Sequence, residues 1–182
     1  AIVTALGGTL VLRERPAYAI KATLVPDKTW YKPGETVKVT MHLKNVGDTP
    51  VTFKTGGKYR ISRNERFRFL AYTSFIDNDA GGYDTAVPDI GTPGAGGIES
   101  MATLPPGKTI TFEAELNRWF KLEEPNQYHI IGLFQLEICD QPDGPVIWVD
   151  YAAGTCTFTI EGERQFPQAE SAPQDAAEHE TP

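Results

Sequence analysis

Cysteine, histidine and long apolar runs are all scarce in this chain. Only 2 of its 182 residues are Cys and 3 are His, which excludes a disulfide-dense miniature domain. Neither a Cys-x-x-Cys pair nor a cupredoxin-like spacing of Cys and His occurs, so a copper or zinc site has little to build on. No apolar run approaches the ~20 residues of a membrane-spanning helix, and none sustains a helical period, which excludes a polytopic membrane protein and a coiled coil. Basic residues are outnumbered, with 17 Lys and Arg against 24 Asp and Glu and a net charge of −7. A general affinity for nucleic acid is therefore disfavoured, because it needs a surplus of cations. His-Glu-x-x-His, a phosphate loop, a dinucleotide fingerprint and a nucleophile elbow are all missing.

What the chain has is turns. Its 17 glycines and 14 prolines fall between short apolar runs. Glu35 to Val46 alternates Val37, Val39, Met41 and Leu43 against Thr36, Lys38, Thr40, His42 and Lys44, the period of a half-buried strand. Similar runs follow at Val51 to Phe53, Lys58 to Ser62, Arg66 to Thr73, Thr109 to Leu116, Gln127 to Cys139, Val146 to Tyr151 and Thr155 to Glu161. A short helical turn is expected within Leu116 to Glu124. The fold class this predicts is all-β, an immunoglobulin-like antiparallel β-sandwich of about seven to nine strands with a long Gly/Pro-rich loop and extended termini. Residues 17–163 form that domain. Residues 1–16 are an apolar extension, to be read as the remnant of an export signal or anchor, as a docking strand, or as a frayed end; residues 164–182 are an acidic Pro, Gln and Ala-rich tail. Membrane attachment is expected only through the first of these, and the Ala17-Tyr18-Ala19 triplet that follows it favours an extracytoplasmic location.

Two stretches carry a family likeness. Tyr31-Lys32-Pro33-Gly34-Glu35-Thr36-Val37, followed by Leu43-Lys44-Asn45-Val46-Gly47-Asp48-Thr49-Pro50-Val51-Thr52-Phe53, resembles the opening hairpin of bacterial immunoglobulin-like domains. Among these are the intracellular proteinase inhibitor family and the β-sandwich domain preceding deuterolysin-like metalloproteases. Leu104-Pro105-Pro106-Gly107-Lys108, Leu116-Asn117-Arg118-Trp119-Phe120-Lys121-Leu122 and Glu124-Pro125-Asn126-Gln127-Tyr128 are similar to the later half of the second type. The resemblance implies a sandwich. It implies no zinc peptidase chemistry, and it assigns the inhibitor's reactive segment to no position here.

Several constellations are candidates for function. Lys58, Arg60, Arg66 and Arg68 are expected to share the outer face of a basic hairpin, where like charges need compensation either by Glu113 and Glu115 or by an acidic partner. Asp77, Asp79 and Asp84 lie in a Gly-containing stretch suited to calcium, the one cofactor the sequence would accommodate; it opens a long loop running to Ser100. Cys139 and Cys156 end one strand and begin another, and are expected to form a disulfide if a bulge turns them to the same side. His42, His129 and His179 read as surface or edge residues, and no catalytic residue is assigned. The leading expectation is a noncatalytic exported subunit that works through protein contacts, either with a protein partner or by self-assembly. A proteinase inhibitor is the second reading. The third is a calcium- or carbohydrate-dependent surface-binding module, for which Trp30, Trp119 and Trp148 supply stacking surfaces.

Overall fold

Alternation along one strand sets the layout. In β5 (Lys38–Asn45), and just ahead of it, Val37, Val39, Met41 and Leu43 are at most 1% exposed, as their period-two spacing requires. The computed structural model describes residues 2–5, 8–11, 19–56, 63–75, 83–91 and 100–162. β1 (Ile2–Ala5) and β2 (Gly8–Val11) pair with each other as an antiparallel two-stranded sheet. β3 (Ile20–Pro26) and β10 (Thr109–Glu115) flank β5 in a three-stranded antiparallel sheet.

The larger sheet is built on β11 (Asn126–Cys139). One side of β11 pairs with β12 (Val146–Ile160), and its other side with β6 (Val51–Lys54) and β7 (Phe67–Phe75). β9 (Met101–Leu104) extends β6, β8 (Tyr83–Val87) extends β7, and β4 (Trp30–Tyr31) runs parallel to the end of β12. The two sheets face one another as a β-sandwich. Among the described residues they contain ten strands, one more than the upper expectation, and the only regular helix is the 3₁₀ turn Leu116–Arg118.

The core lies between the sheets. Phe67 stacks on Phe69 and meets Phe112 and Phe134 edge to face, while Tyr128 stacks on Phe158, which Tyr31 approaches by its edge. Each fully buried ring of this kind contributes about 2–3 kcal/mol by removal from water. At the centre the sheets come closest where two glycines face each other across β11 and β12. A Cβ at Gly154 would lie 2.8 Å from the Leu24 amide nitrogen, and one at Gly132 would lie 3.0 Å from Leu24 Cδ2. Leu24 fills the recess that the missing side chains leave.

The stretches that carried the family likeness hold the fold together. Asn45 is fully buried; its Nδ2 donates to the carbonyls of Thr49 and Leu104, both at 2.8 Å, and its Oδ1 accepts from the Gly47 amide. Asn117 does the same work at the other end, accepting from the Val37 amide at 2.7 Å and donating to the Glu35 carbonyl. Both amides satisfy backbone groups where strands end, which is a structural task.

Two expectations about elements change. Val146–Tyr151 and Thr155–Glu161 were expected as separate strands, but β12 runs unbroken through Gly154, because that glycine marks a close approach of backbone and not a turn. The long loop from Asp77 to Ser100 is interrupted by β8 and by a bridge between Asp89 and Phe120. The strand expected at Lys58 to Ser62 lies outside the described residues.

Candidate functional site

The expected disulfide does not form. Neither thiol is in a disulfide, and Cys156 lies opposite Ile130, nine residues from Cys139 along β11. At ~3.4 Å per residue that is about 30 Å, against the ~7 Å limit on Cα separation in a disulfide. The bulge does exist, between Ile138 and Cys139, and Cys139 is 4% exposed, but the bulge does not bring that thiol to its mate. Burial pushes the Cys156 thiol up to about 12, so it is a poor nucleophile.

The basic hairpin is also corrected. Arg66 is buried, 4% exposed, where it was expected to face outward. It lies in the turn before β7, where strand alternation has not begun, and it forms an ion pair with Glu137 of β11. Glu137 also reaches Lys54 at 3.7 Å, so among the described residues Glu137 is an acid that compensates Arg66, while Glu115 pairs with Arg118. Arg68 is exposed as expected, and its Nη1 donates to the carbonyls of Glu65 and Phe67. Lys58 and Arg60 lie outside the described residues, as do Asp77 and Asp79 of the calcium reading. Asp84 occupies a strand position opposite Ser74 in β8, and its side chain lies outside the described residues. Among the described residues no group of three His, Cys, Asp or Glu converges on one point, and no helix is long and apolar enough to cross a membrane.

Sequence reasoning missed a clamp at Arg63. Its guanidinium grips Asp89 with two hydrogen bonds of 2.7 and 3.1 Å, donates from Nε and Nη2 to the Arg118 carbonyl, and lies 5.2 Å from the centre of the Trp119 ring. Burial alone would raise the Asp89 carboxyl, but the hydrogen bonds from Arg63 and the Gly91 amide, with the Arg63 charge, hold it below its ordinary value. The clamp ties the segment after β8 to the 3₁₀ turn. Nothing short of the folded contacts marks Arg63 apart from its basic neighbours.

His129 was read as an edge residue, and it sits half-buried on the outer face of the large sheet. Its Nε2 is 2.5 Å from Ser74 Oγ and its Nδ1 is 3.2 Å from Thr157 Oγ1, so the imidazole bridges two hydroxyls across three strands. A Ser–His contact is the first half of a hydrolytic triad, but the group on Nδ1 here is a neutral hydroxyl, without the negative charge of a triad's carboxylate.

The most distinctive surface lies on β12. Among the described residues only Thr159 and Ile160 have a strand partner on the side away from β11. Among the described residues the backbone from Val146 to Phe158 is therefore a sheet edge. Its first half exposes apolar side chains: Val146 at 37%, Ile147 at 41%, Val149 at 51% and Tyr151 at 48%. Val149 and Tyr151 share the outer face with Leu70 of β7, itself 46% exposed. Long, flat, apolar edges of this kind are templates for another strand, and natural sheets usually blunt them with Lys, Pro or a covering loop. From Val146 to Ala152 the only charged residue is Asp150, and there is no proline.

No protein-family model matches this chain, and no curated protein matches it. Solved structures similar to it include the sporulation control protein Spo0M from Bacillus subtilis, at 15% identity over 80% of this chain and 50% of that one, with a TM-score of 0.37. AvmM, described as catalysing macrocyclization in alchivemycin A biosynthesis, matches at 15% identity over 92% of this chain and 99% of that one, with a TM-score of 0.33. A β-glucosidase from Listeria innocua matches at 13% identity over 80% of this chain and 17% of its own, with a TM-score of 0.32. This chain thus spans half of the sporulation protein and a small part of the glucosidase. Likenesses of this size carry no argument about function.

Proposed function

We propose that this chain is a noncatalytic β-sandwich module that works through protein contact, and that the contact is edge-to-edge pairing of β12 with β12 of a second copy. The observation that carries the reading is the run of exposed apolar side chains at Val146, Ile147, Val149 and Tyr151, on a stretch of β12 that no described strand pairs on the side away from β11. The residue pattern suits a two-fold antiparallel pairing. Centred on Val149, it sets Asp150 opposite Trp148, so no like charges meet, and both copies present the same patch, as an isologous interface requires. Export from the cytoplasm belongs to the same proposal. It rests on the N-terminal apolar segment and the Ala17-Tyr18-Ala19 triplet alone, since the disulfide that would have strengthened it does not form.

Sedimentation velocity across a range of concentrations tests the pairing. The wild-type chain is expected to sediment as a dimer or a reversible monomer–dimer mixture, and Val149→Lys as a monomer with an unchanged melting temperature. A wild-type chain that stays monomeric at every concentration, or a Val149→Lys variant that still dimerises, overturns it.

A further inference from the structure

A second site lies at the opposite end of β12. β4 is only two residues long, and its alternation buries Tyr31 to 1% exposure while turning Trp30 outward to 59%. The strand is held firmly. The Thr159 amide donates to the Thr29 carbonyl at 2.9 Å and the Glu161 amide to the Tyr31 carbonyl at 2.8 Å, so the indole stands on a backbone that both sides of the pairing fix. Below it, Tyr31 Oη donates to Asp27 Oδ1 at 2.5 Å, and the Tyr31 ring packs against Phe158. A large aromatic face is thus exposed on a rigid support.

Beside the indole is a shallow cleft of about 410 Å³, lined by Trp30, Pro125, Asn126, Gln127, Thr159 and Glu161, with Ile160 and Gly162 completing it. One wall depends on Gly162, whose φ of +139° favours glycine and whose missing Cβ would lie 2.6 Å from Pro125 Cγ. The lining contains no Lys or Arg, which disfavours a phosphate or carboxylate ligand. It offers instead a flat apolar face, two amides, a hydroxyl and a carboxylate. Among the described residues the Gln127 amide group and the Glu161 carboxylate make no hydrogen bond of their own.

We infer that this cleft is a binding site for a neutral saccharide. One face of a pyranose ring is a patch of C–H groups, which an indole covers well, and its rim is a ring of hydroxyls that both donate and accept. A carboxylate takes two such donors, and a primary amide satisfies one donor and one acceptor on neighbouring carbons. The volume lies at the lower end of the ~300–1,000 Å³ typical of ligand sites, which suits one or two sugar rings. A quaternary ammonium ion, the other class that seeks an aromatic face beside a carboxylate, is normally enclosed by several rings, whereas this cleft has one.

Saturation-transfer NMR on the full chain with cellobiose, maltose and N,N′-diacetylchitobiose, and with choline as the cationic comparator, tests the inference. Transfer to the ring C–H protons of at least one sugar is expected, with affinity lost about tenfold or more in Trp30→Ala, partly retained in Trp30→Phe, and lowered several-fold in Gln127→Ala. Trp30 is largely exposed, so Trp30→Ala should melt at the wild-type temperature. Absence of transfer to all three sugars, binding that survives Trp30→Ala, or a response to choline alone overturns the inference. Because Val149 lies at the far end of β12, sugar binding should persist in Val149→Lys, and a failure of either site leaves the other intact.

Discussion

The two halves of β12 share one partner strand and yet are patterned in opposite ways. From Ala152 to Ile160 the inner face is Ala152, Gly154, Cys156, Phe158 and Ile160, and the outer face is Ala153, Thr155, Thr157 and Thr159. From Val146 to Tyr151 the outer positions are Val149 and Tyr151, with Ile147 at the bulge, while the inward Asp150 is only half-buried. The C-terminal half is a finished element: core on one face, hydroxyls on the other, and β4 along the end of its edge. Its N-terminal half has the composition of a covered strand, and no described strand pairs with it on the side away from β11. Threonine outside and phenylalanine inside describe a strand whose environment ends at water, whereas valine and tyrosine outside describe one whose environment continues.

The contrast can be broken most directly at Phe158. Phe158→Ala is expected to cost about 3–5 kcal/mol in urea denaturation, since the ring is 1% exposed and packs on Tyr128 and Tyr31. Val149→Ala, near the other end of the same strand, should cost less than about 0.5 kcal/mol. Equal losses would mean that the two halves are buried alike and that the edge is not free.

A region away from β12 gives the next largest effect. Arg63→Met should lose about 2 kcal/mol at neutral pH, because two hydrogen bonds to Asp89, those to the Arg118 carbonyl and the contact with Trp119 all go, discounted for the half-exposed carboxylate. Asp89 titrates below its ordinary value of 3.8 in the folded chain, so its contribution is present above that pH and is lost as pH falls through the lower folded value. Stability measured against pH should therefore fall less steeply at the acid end in Arg63→Met than in wild type. An acid limb of the same slope in both would show that the clamp does not set it.

Smaller in stability but sharper for the comparison is Val149→Lys, which should leave unfolding within about 0.5 kcal/mol of wild type while removing association. The smallest effect is chemical. In denaturant without reductant both thiols should react, and in the native chain both should react slowly at neutral pH, Cys139 because it is only 4% exposed and Cys156 because burial holds its thiol near 12. A native chain with no titratable thiol in denaturant would restore the bridge.

Local pattern foretold the elements better than it foretold their neighbours. Val37, Val39, Met41 and Leu43 announced β5 because alternation is a property of consecutive residues. Arg66 deceived because parity has no meaning in a turn, and its ion pair with Glu137 spans some seventy positions of sequence. The cysteines deceived for the same reason: which residue lies opposite Cys156 is decided by the register of a pairing between β11 and β12, and no composition near either cysteine reports it. Of the three tryptophans, Trp119 is 4% exposed and Trp148 is half-buried, and only the two-residue length of β4 explains why Trp30 is not. The exposed edge itself escaped the reading, since Val146 to Tyr151 has the makeup of any buried strand.

The glycine pair at 132 and 154 has a consequence for errors. Sliding β12 by one residue along β11 would bring Ala153 or Thr155 opposite Gly132 and close the notch that admits Leu24. A mispaired chain would thus be unable to seat its second layer, so one small gap proofreads the ladder within one sheet and the stacking of both.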